Sequence, residues 1–409
     1  MTEAARASLT RYTADRPLAL LTDWPPDAGG GGAVIFRSLL GPEERERIVW
    51  MSPSPPSKPG AADSNTVFLR AGSAERGRRS VGLDSTFRAG ALAREALAAA
   101  EDRGARALWV VMHYAGVAIA ARLARAGRLP LHLTVHDDPA FGVALRSKRY
   151  LALVPWIERD FAYALRHATS VDVIGRGMAE RYRRRYGVGS TIVHRALDGP
   201  IAPAGDYDSA RNGLRVGVLG STYGYGQLPL LARAVEVAAG RLGVAPRLLI
   251  VGQGHGEQLR AEFAGRVEVE STGHISEAAA VSLLRGCFAL YLNYPFGRRD
   301  AVLRQTSFPT KLSSYVQAAR PLLVHALADS STTPLVGPDG YATAWADLDP
   351  ARGAEALAAA WGRAENHASR HEAAERVRRE HYDPDHNRRA LFAALDALVP
   401  PMGGQGRAS

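Results

Sequence analysis

The chain has a single cysteine, Cys287, in 409 residues, and this scarcity limits what can hold the fold together. One cysteine excludes an intramolecular disulfide bond and a cysteine-based zinc cage. The sequence also lacks a run of 18 apolar residues, so no membrane-spanning helix is expected. Residues 1–11 are polar and of mixed charge, without the apolar core of a secretory signal. From these absences we expect a cytoplasmic protein.

Lysine is nearly absent as well, since Lys58, Lys148 and Lys311 stand against 48 arginines. The net charge of +10 and the pI of about 9.9 favour anionic partners. The arginines are spread over many predicted helices, and the densest cluster, residues 181–186, circles a helix. We therefore expect no nucleic-acid partner. We expect an anionic ligand instead, and peripheral association with an anionic membrane at its inner face.

A strand–loop–helix pattern runs through the chain twice, and the turn-rich residues 197–213 separate the two halves. Apolar runs such as residues 107–112 and 131–135 are typical of strands that are buried on both faces of a parallel sheet. The pattern predicts an α/β protein with two doubly wound Rossmann-like domains that face a central cleft. The predicted parts are a first domain over 1–200, a second over 201–384, a helix over 385–400 that packs back on the first domain, and a disordered tail over 401–409.

The most informative segment is residues 306–325, where a loop ends at Pro309 and a helix is predicted to open with Thr310 and Lys311. The amino terminus of a helix presents unpaired backbone N–H groups and a partial positive charge. A lysine in the first turn opposes this dipole, unless an anion such as a phosphate lies between them. Lys311 is therefore either a phosphate ligand or part of a solvated helix end.

Three loops that contain glycine follow predicted strands of the second half. They are Gly220-Ser221-Thr222, Gly252, and Gly273-His274-Ile275. Glycine lets main-chain amides approach an anion, and the Ser and Thr hydroxyls add donors. The third loop can hold a flat base through its backbone. Each loop alone is also explained by a tight turn.

In the first half, His136 and Asp137 follow the predicted strand over residues 131–135, where α/β domains place active residues. Asp137 or Asp138 can orient the imidazole of His136. The other interpretation is a turn before Pro139. Gly30, Gly31 and Gly32 follow the first strand, and either allow close approach of an acceptor or form a flexible loop.

No metal site is predicted. Asp347 and Asp349, and likewise Asp206 and Asp208, resemble a paired-aspartate element that holds a metal–diphosphate in one transferase fold. Both pairs lie in segments that are predicted to be turn-rich and away from the ends of buried strands, which argues against that role. We expect no cofactor and no protein-bound metal.

The order of these motifs resembles that of retaining glycosyltransferases with two Rossmann domains (GT-B), in particular the large family 4 group. The resemblance covers about residues 15–400. It lies in Val-Gly-Val-Leu-Gly-Ser from Val216, Leu-Leu-Ile-Val-Gly-Gln-Gly from Leu248, Gly273-His274-Ile275, and the Pro-x-Lys helix that leads to Arg320-Pro321-Leu322. In that group a histidine in the first domain contacts the transferred sugar, and His136 matches it.

The chain departs from the group at two positions. Gln227 lies near the place of a basic residue that binds diphosphate, so Arg298, Arg299 or Arg304 is expected to assist Lys311. Ser314 stands where many members have a glutamate that binds the nucleotide ribose. These departures put the usual diphosphate and ribose contacts in doubt.

The resemblance implies metal-independent transfer of a sugar, with retention, from a nucleotide-diphosphate sugar to a glycan, lipid-linked or small-molecule acceptor. Lys311 stabilises the departing diphosphate, and His136 with Asp137 serves the sugar. A nucleotide-sugar 2-epimerase of the same fold and a non-catalytic binding scaffold are the alternatives. The expected donor-binding residues are Gly220, Ser221, Thr222, Gly252, Gly273, His274, Ile275, Arg304, Ser307, Phe308, Pro309, Thr310 and Leu312.

Overall fold

The computed structural model consists of two compact units. One contains the chain up to Ala196 and from Pro384 onward, and the other is Leu197–Asp383. The sequence analysis placed the corresponding boundaries after residues 200 and 384. The structure describes residues 18–26, 31–54, 65–69, 88–113, 115–139, 152–203, 205–220, 225–252, 255–337, 341–362 and 367–398. The tail predicted over 401–409 lies outside these residues.

The described residues of the first unit form a parallel sheet of seven strands in the order β3-β2-β1-β4-β5-β6-β7. The strands are β1 Leu18–Leu21, β2 Ile48–Ser52, β3 Thr66–Phe68, β4 Ala107–Val111, β5 Leu131–Val135, β6 Ser170–Val173 and β7 Thr191–Ile192. The helices between them are α1 Gly31–Leu39, α2 Pro42–Arg47, α3 Ala89–Asp102, α4 Ala115–Ala126, α5 Val154–His167 and α6 Arg176–Tyr186. β1, β4 and β5 are buried along their whole length because helices cover both faces of such a sheet.

The second unit has a parallel sheet in the order β10-β9-β8-β11-β12-β13, six strands in the part of the chain described. The strands are β8 Leu214–Leu219, β9 Pro246–Val251, β10 Glu268–Ser271, β11 Ala289–Asn293, β12 Leu322–His325 and β13 Ala342–Trp345. The helices are α7 Ser209–Asn212, α8 Leu228–Leu242, α9 Gly256–Glu262, α10 Glu277–Arg285, α11 Ala301–Thr306, α12 Lys311–Ala318, α13 Pro350–Gly362 and α14 His367–His381. Its core contains the apolar side chains of β8, β9 and α8.

The last helix, α15 (Pro384–Asp396), belongs to the first unit. The buried amide side chain of Asn387 accepts a hydrogen bond of 2.7 Å from the backbone N–H of His194. The Ser170 hydroxyl donates to the carbonyl oxygen of Ala394 at 2.6 Å. The chain therefore leaves the first sheet after β7 and returns to that edge of it nearly two hundred residues later.

Each sheet reverses its winding once, between β1 and β4 in the first unit and between β8 and β11 in the second. In open α/β sheets, ligands bind outside the carboxyl ends of the strands at such a switch point. Residues that directly follow these four strands are therefore the first place to search for a site. None of the helices in the described ranges is long and apolar enough to cross a membrane.

The elements that were missed in the sequence include β3, α7, α11 and β13. β13 bears on one prediction, because Asp347 and Asp349 do follow a strand, which lies at the sheet edge and is only partly buried. Their carboxylates form local contacts there. Asp347 accepts hydrogen bonds from the Trp345 indole at 3.1 Å and from the Asp349 backbone N–H at 2.9 Å. Asp208 similarly caps α7 through the backbone N–H of Arg211.

Candidate functional site

Three of the predicted glycines come together at the carboxyl ends of β8, β9 and β10. Gly220, Gly252 and Gly273 have φ angles of 69°, 100° and 65°. Residues that have a side chain rarely adopt such angles. The Gly220 N–H donates to the Val251 carbonyl at 2.7 Å, and Gly252 forms a bridge with Gly273. A Cβ on Gly252 would lie 3.4 Å from the Gly220 Cα. The result is a surface of bare backbone. Ser221 and Thr222 lie outside the described residues.

The helix that carries Lys311 is fixed to the same edge by Tyr315. The phenol accepts a hydrogen bond from the Leu219 backbone N–H at 2.8 Å and donates one to the Tyr291 carbonyl at 2.8 Å. These strands, β8 and β11, flank the switch point. Lys311 and Tyr315 are four residues apart, and therefore lie on one face of α12. Lys311 accordingly lies at the carboxyl edge, one turn beyond the contact with β8.

Burial lowers the pKa of the Lys311 ammonium to about 8. The group keeps its charge at neutral pH, but it has lost part of its hydration. A bound anion replaces that hydration with direct contacts. The gain in binding free energy is therefore larger than it would be at a fully solvated lysine. The role of Lys311 as a phosphate ligand stays a prediction.

The sequence predicts unpaired backbone N–H groups at the amino terminus of α12. In the structure, two of these groups form hydrogen bonds. The Leu312 N–H donates to the Pro309 carbonyl at 2.9 Å, and the Ser313 N–H donates to the Thr310 carbonyl at 3.2 Å. Thr310 has helical backbone angles, and its side chain does not cap the helix. Two of the expected amide donors are therefore already used within the first turn.

The predicted contact between Arg304 and diphosphate requires correction. Its guanidinium is buried and holds both carboxylate oxygens of Asp329, at 2.5 and 2.9 Å. It also donates to the carbonyl oxygen of Pro295 at 2.8 Å. Arg304 lowers the pKa of Asp329. Because these bonds occupy its donors, Arg304 supports the loop that precedes α11, whereas Arg298 and Arg299 are exposed.

The residues around Pro309 also have a structural role, since most of them lie in the interior. Ser307, Phe308, Pro309 and Leu312 are buried, so their side chains belong to the interior. The Ser307 carbonyl accepts a hydrogen bond of 2.7 Å from the phenol of Tyr294. Within residues 307–312, the partly exposed positions are Thr310 and Lys311. The side chain of Leu312 is therefore part of the interior, and the expected contact between this residue and the donor stays a prediction.

The two departures from the glycosyltransferase pattern have separate structural explanations. Gln227 joins the carboxyl end of β11, since its amide donates to the Tyr294 carbonyl at 2.9 Å and accepts from the Asn293 amide at 2.7 Å. The Ser314 hydroxyl donates to Glu277 Oε1 at 2.9 Å. Glu277 is the exposed first residue of α10. A carboxylate thus reaches the position of Ser314 from a neighbouring helix.

Glu277 was missed because sequence reasoning searched α12 alone for the carboxylate. Its own position carried a signal, since Glu277 follows the Gly273-His274-Ile275 loop by two residues. Ser276 caps α10 by accepting a hydrogen bond from the Ala279 backbone N–H at 3.3 Å. His274 is exposed and Ile275 is half-buried in the same loop. The loop and the carboxylate therefore lie together beyond β10.

In the first unit, His136 lies directly after β5 and packs beside Phe36, with 5.7 Å between the ring centroids. Burial lowers the pKa of His136, and the nearby carboxylates of Asp172 and Asp137 partly oppose this shift. Asp137 is exposed. Asp138 is buried, with its Oδ2 4.0 Å from Arg181 Nε. Asp138 therefore pairs with Arg181, which does not support its expected role in orienting His136.

A second polar group lies at the switch point of this sheet and was not predicted. Asp23, after β1, has its Oδ2 3.5 Å from Nδ1 of His113, after β4. The Trp24 ring packs edge-on against His113, at 5.6 Å between centroids. Gly31 and Gly32 begin α1, rather than forming the expected loop, and Gly30 lies outside the described residues. A Cβ on Gly32 would lie 2.7 Å from the Trp24 ring, so this glycine allows close packing.

Comparison with solved structures places the whole chain in a known fold. Sucrose-phosphate synthase from Thermosynechococcus elongatus matches 94% of this chain and 100% of its own, with 15% identity and a TM-score of 0.67. HepE from Anabaena, in complex with UDP, matches 93% and 100%, with 12% identity and a TM-score of 0.62. An α,α-trehalose-phosphate synthase (UDP-forming) from Burkholderia vietnamiensis matches 94% and 100%, with 14% identity and a TM-score of 0.60.

The fold is GT-B. The two parallel-sheet α/β units match those of glycosyltransferase structures over nearly the full chain. No family model matches the sequence. No curated protein matches it either. Within this GT-B chain, Lys311, Glu277 and the three glycines belong to the second unit, whereas His136, Asp23 and His113 belong to the first. Among the described residues, no group of three or more His, Cys, Asp or Glu side chains is arranged to hold a metal ion.

Proposed function

We propose that this protein is a glycosyltransferase that moves a sugar from a UDP-sugar to an acceptor. The observation that carries the proposal is the position of Lys311, held by Tyr315 at the carboxyl edge beside the switch point of the second sheet. Support comes from the GT-B fold, and from solved neighbours that are complexes with UDP or UDP-glucose.

The donor binds through its diphosphate and its nucleoside in this proposal. Lys311 neutralises the diphosphate, and the backbone at Gly220 and Gly252 allows its oxygens to approach the chain closely. The Gly273-His274-Ile275 loop holds the base. Glu277 accepts hydrogen bonds from the ribose hydroxyls while it also accepts one from Ser314. A carboxylate suits this task because it is acceptor-only and can serve several donors at once.

Transfer occurs with retention and without a metal ion in this proposal. The bond between the anomeric carbon and the diphosphate breaks, and the acceptor oxygen forms its bond on the same face. The departing diphosphate takes the acceptor proton. Lys311 stabilises the charge that develops on the leaving group, which is where preorganised positive charge lowers the barrier most. His136 contacts the transferred sugar, and its lowered pKa favours the neutral imidazole near pH 7.

The test is a thermal-shift and donor-hydrolysis screen against UDP-, GDP-, ADP- and dTDP-sugars, with and without EDTA. We expect a shift with UDP-sugars that is insensitive to EDTA, together with slow hydrolysis. Lys311→Ala should lose both, while Arg241→Ala, an exposed cation at the end of α8, should keep both. The anomeric configuration of the product, read by NMR, tests retention.

The outcomes of this screen separate the alternatives. A shift with UDP but no hydrolysis or transfer would favour the non-catalytic scaffold. Conversion of the UDP-sugar to its 2-epimer would favour the epimerase. Absence of a shift with every nucleotide would contradict the proposed donor site altogether.

A further inference from the structure

The two strands at the switch point of the second sheet are joined less completely than their neighbours. β8 pairs with β9 along all six of its residues, Leu214–Leu219. On its other side, β8 pairs with β11 at two residues, Val216 and Gly217. In the part of the chain described, the backbone pairing of β8 with β11 ends there.

The phenol of Tyr315 takes the place of the next ladder bond. Continuing the register of β8 and β11 by one residue would pair Val218 with Tyr291. In a parallel ladder, that pair is closed by a hydrogen bond from the Leu219 N–H to the Tyr291 carbonyl oxygen. In the structure the phenol lies between these two groups, accepting from the first and donating to the second, each at 2.8 Å. This hydroxyl bridge separates the two strands where they would otherwise join.

The hydroxyl bridge is a fixed part of the interior. Tyr315 is fully buried, and burial raises the pKa of its phenol, so the group keeps its proton and both hydrogen bonds. The backbone carbonyl of Tyr315 accepts a further hydrogen bond of 2.6 Å from the phenol of Tyr341. The middle of α12 is therefore anchored twice, to the sheet through this side chain and to Tyr341 through the backbone.

A second side chain spans the same gap further along. Gln227, just before α8, donates to the Tyr294 carbonyl at 2.9 Å and accepts from the Asn293 amide at 2.7 Å. The backbone after β8 instead stays with β9, since the Gly220 N–H donates to the Val251 carbonyl at 2.7 Å. Side chains thus connect the two flanks of the switch point where the backbone ladder has ended.

The hydroxyl bridge lies where open α/β sheets take their ligands, at the carboxyl ends of the strands beside the switch point. Lys311 is one turn before Tyr315 on the same face of α12. The length of the phenol therefore sets how far the lysine stands from the backbone after β8. A displacement of about 1 Å in a group that acts on the reacting atoms can cost about a hundredfold in rate.

We propose that Tyr315 is a positioning residue for the donor site: by separating β8 from β11, its phenol holds the switch point open and sets the place of Lys311 against the backbone at Gly220. This inference rests on the proposed glycosyltransferase function. The hydroxyl is buried and used by its two backbone partners, so it acts through Lys311 and not on the ligand. Without it, these partners either bond directly or lose a partner, and in both cases α12 loses this link to β8.

The test compares Tyr315→Phe with Tyr207→Phe in the full chain. Tyr207 is the matched control, since its phenol also accepts from a backbone N–H of β8, that of Arg215 at 3.2 Å, and donates to a carbonyl, that of Gly213 at 2.7 Å. These contacts lie at the opposite, amino end of β8. Both variants should lower the Tm by a similar amount. Tyr315→Phe alone should raise the Kd for UDP at least about tenfold and slow UDP-glucose hydrolysis about a hundredfold.

A double variant separates positioning from a general loss of stability. If Tyr315 acts through Lys311, Tyr315→Phe should weaken UDP binding little further in a chain that already carries Lys311→Met. A purely structural role predicts that the two losses add. Additive losses in the double variant, or a wild-type Kd and hydrolysis rate in Tyr315→Phe, would overturn the positioning role.

Hydrogen exchange of the wild-type chain keeps the test decisive even when Tyr315→Phe does not fold. Saturating UDP should slow exchange of the Leu219 amide, which is part of the hydroxyl bridge, more than exchange of the Arg215 amide at the other end of β8. Equal slowing of both amides, or none at Leu219, would overturn the positioning role. Failure of the wild-type chain to bind UDP would instead overturn the proposed donor site.

Discussion

At the scale of single residues, the most specific feature is one lysine in a chain that uses arginine almost everywhere. Arginine keeps its charge at any accessible pH, but a lysine amine can lose it when buried. Burial lowers the pKa of Lys311 to about 8. The proposed anion site therefore has a charge that depends on pH in the mildly alkaline range.

The affinity for UDP should fall as the pH rises above about 8, because the lysine is charged below its pKa and neutral above it. The diphosphate itself is already ionised in this range, since the second phosphate pKa is about 6. Calorimetry at a series of pH values measures the effect. The affinity of Lys311→Arg for UDP should not change over this pH range. Lys311→Met should bind UDP weakly, and its affinity should not change with pH either. A wild-type Kd that does not change up to about pH 10 would contradict the role of the lysine charge.

Glu277 should discriminate between ribose and deoxyribose in the nucleotide. We expect wild-type protein to bind UDP about tenfold more tightly than its 2′- or 3′-deoxy analogue, the effect of one hydrogen bond to a charged group. Glu277→Gln should weaken UDP binding and remove most of this preference. Glu257→Gln, an exposed glutamate on α9, provides the control. Equal preference in Glu277→Gln and the wild type would place the ribose elsewhere.

At the scale of helices and strands, the sequence was most informative where elements are strongly patterned. β5 has the bounds that its apolar run, residues 131–135, predicted. β13 was missed because it has only four residues at the sheet edge, where Thr343 is half-buried and Ala344 is exposed. α11 was missed because it has only six residues, fewer than two helical turns.

The candidate site, too, could be predicted from the sequence only in part. Each glycine loop was visible in the sequence by its place after a strand, and Lys311 by its place in a helix. The partners Glu277–Ser314 and Asp23–His113 lie 37 and 90 residues apart, and only the sheet topology brings them together. Arg304 was misassigned because sequence alone does not show that Asp329 occupies its guanidinium.

Arg304→Ala should destabilise the second unit by about 2 kcal/mol, because it leaves the Pro295 carbonyl and Asp329 without their buried partner. The value lies below that for a fully buried pair, since the Asp329 side chain is 40% exposed. Urea unfolding measures the change in the midpoint. Arg299→Ala, at an exposed position nearby, should change it by less than about 0.5 kcal/mol. A similar small change in Arg304→Ala would return the arginine to the list of candidate ligands.

At the scale of the whole molecule, the net charge of +10 favours anionic surfaces. In the first unit, Trp156 at the start of α5 is 61% exposed. Arg185 of α6 donates to Glu158 of α5 at 2.8 Å, and Arg183 and Arg184 beside it are exposed. An exposed indole and exposed arginines are both found at membrane interfaces.

The protein should therefore sediment with vesicles that contain anionic lipid, and not with neutral ones. Raising the salt concentration should release it, because the attraction is partly electrostatic. Trp156→Ala should weaken binding several-fold without changing the affinity for UDP. Equal sedimentation with neutral vesicles, or none with anionic ones, would contradict a peripheral membrane role.

The return of α15 to the first sheet has a consequence for how the protein is made. Ser170 of β6 forms its hydrogen bond with Ala394, 224 residues further along the chain. During synthesis from the amino terminus, every residue of the second unit is translated before α15 exists. The β6–β7 edge of the first unit therefore stays without this helix while the whole second unit is being made. A chain cut short near residue 383 would contain all of the second unit but a first unit that lacks its closing helix.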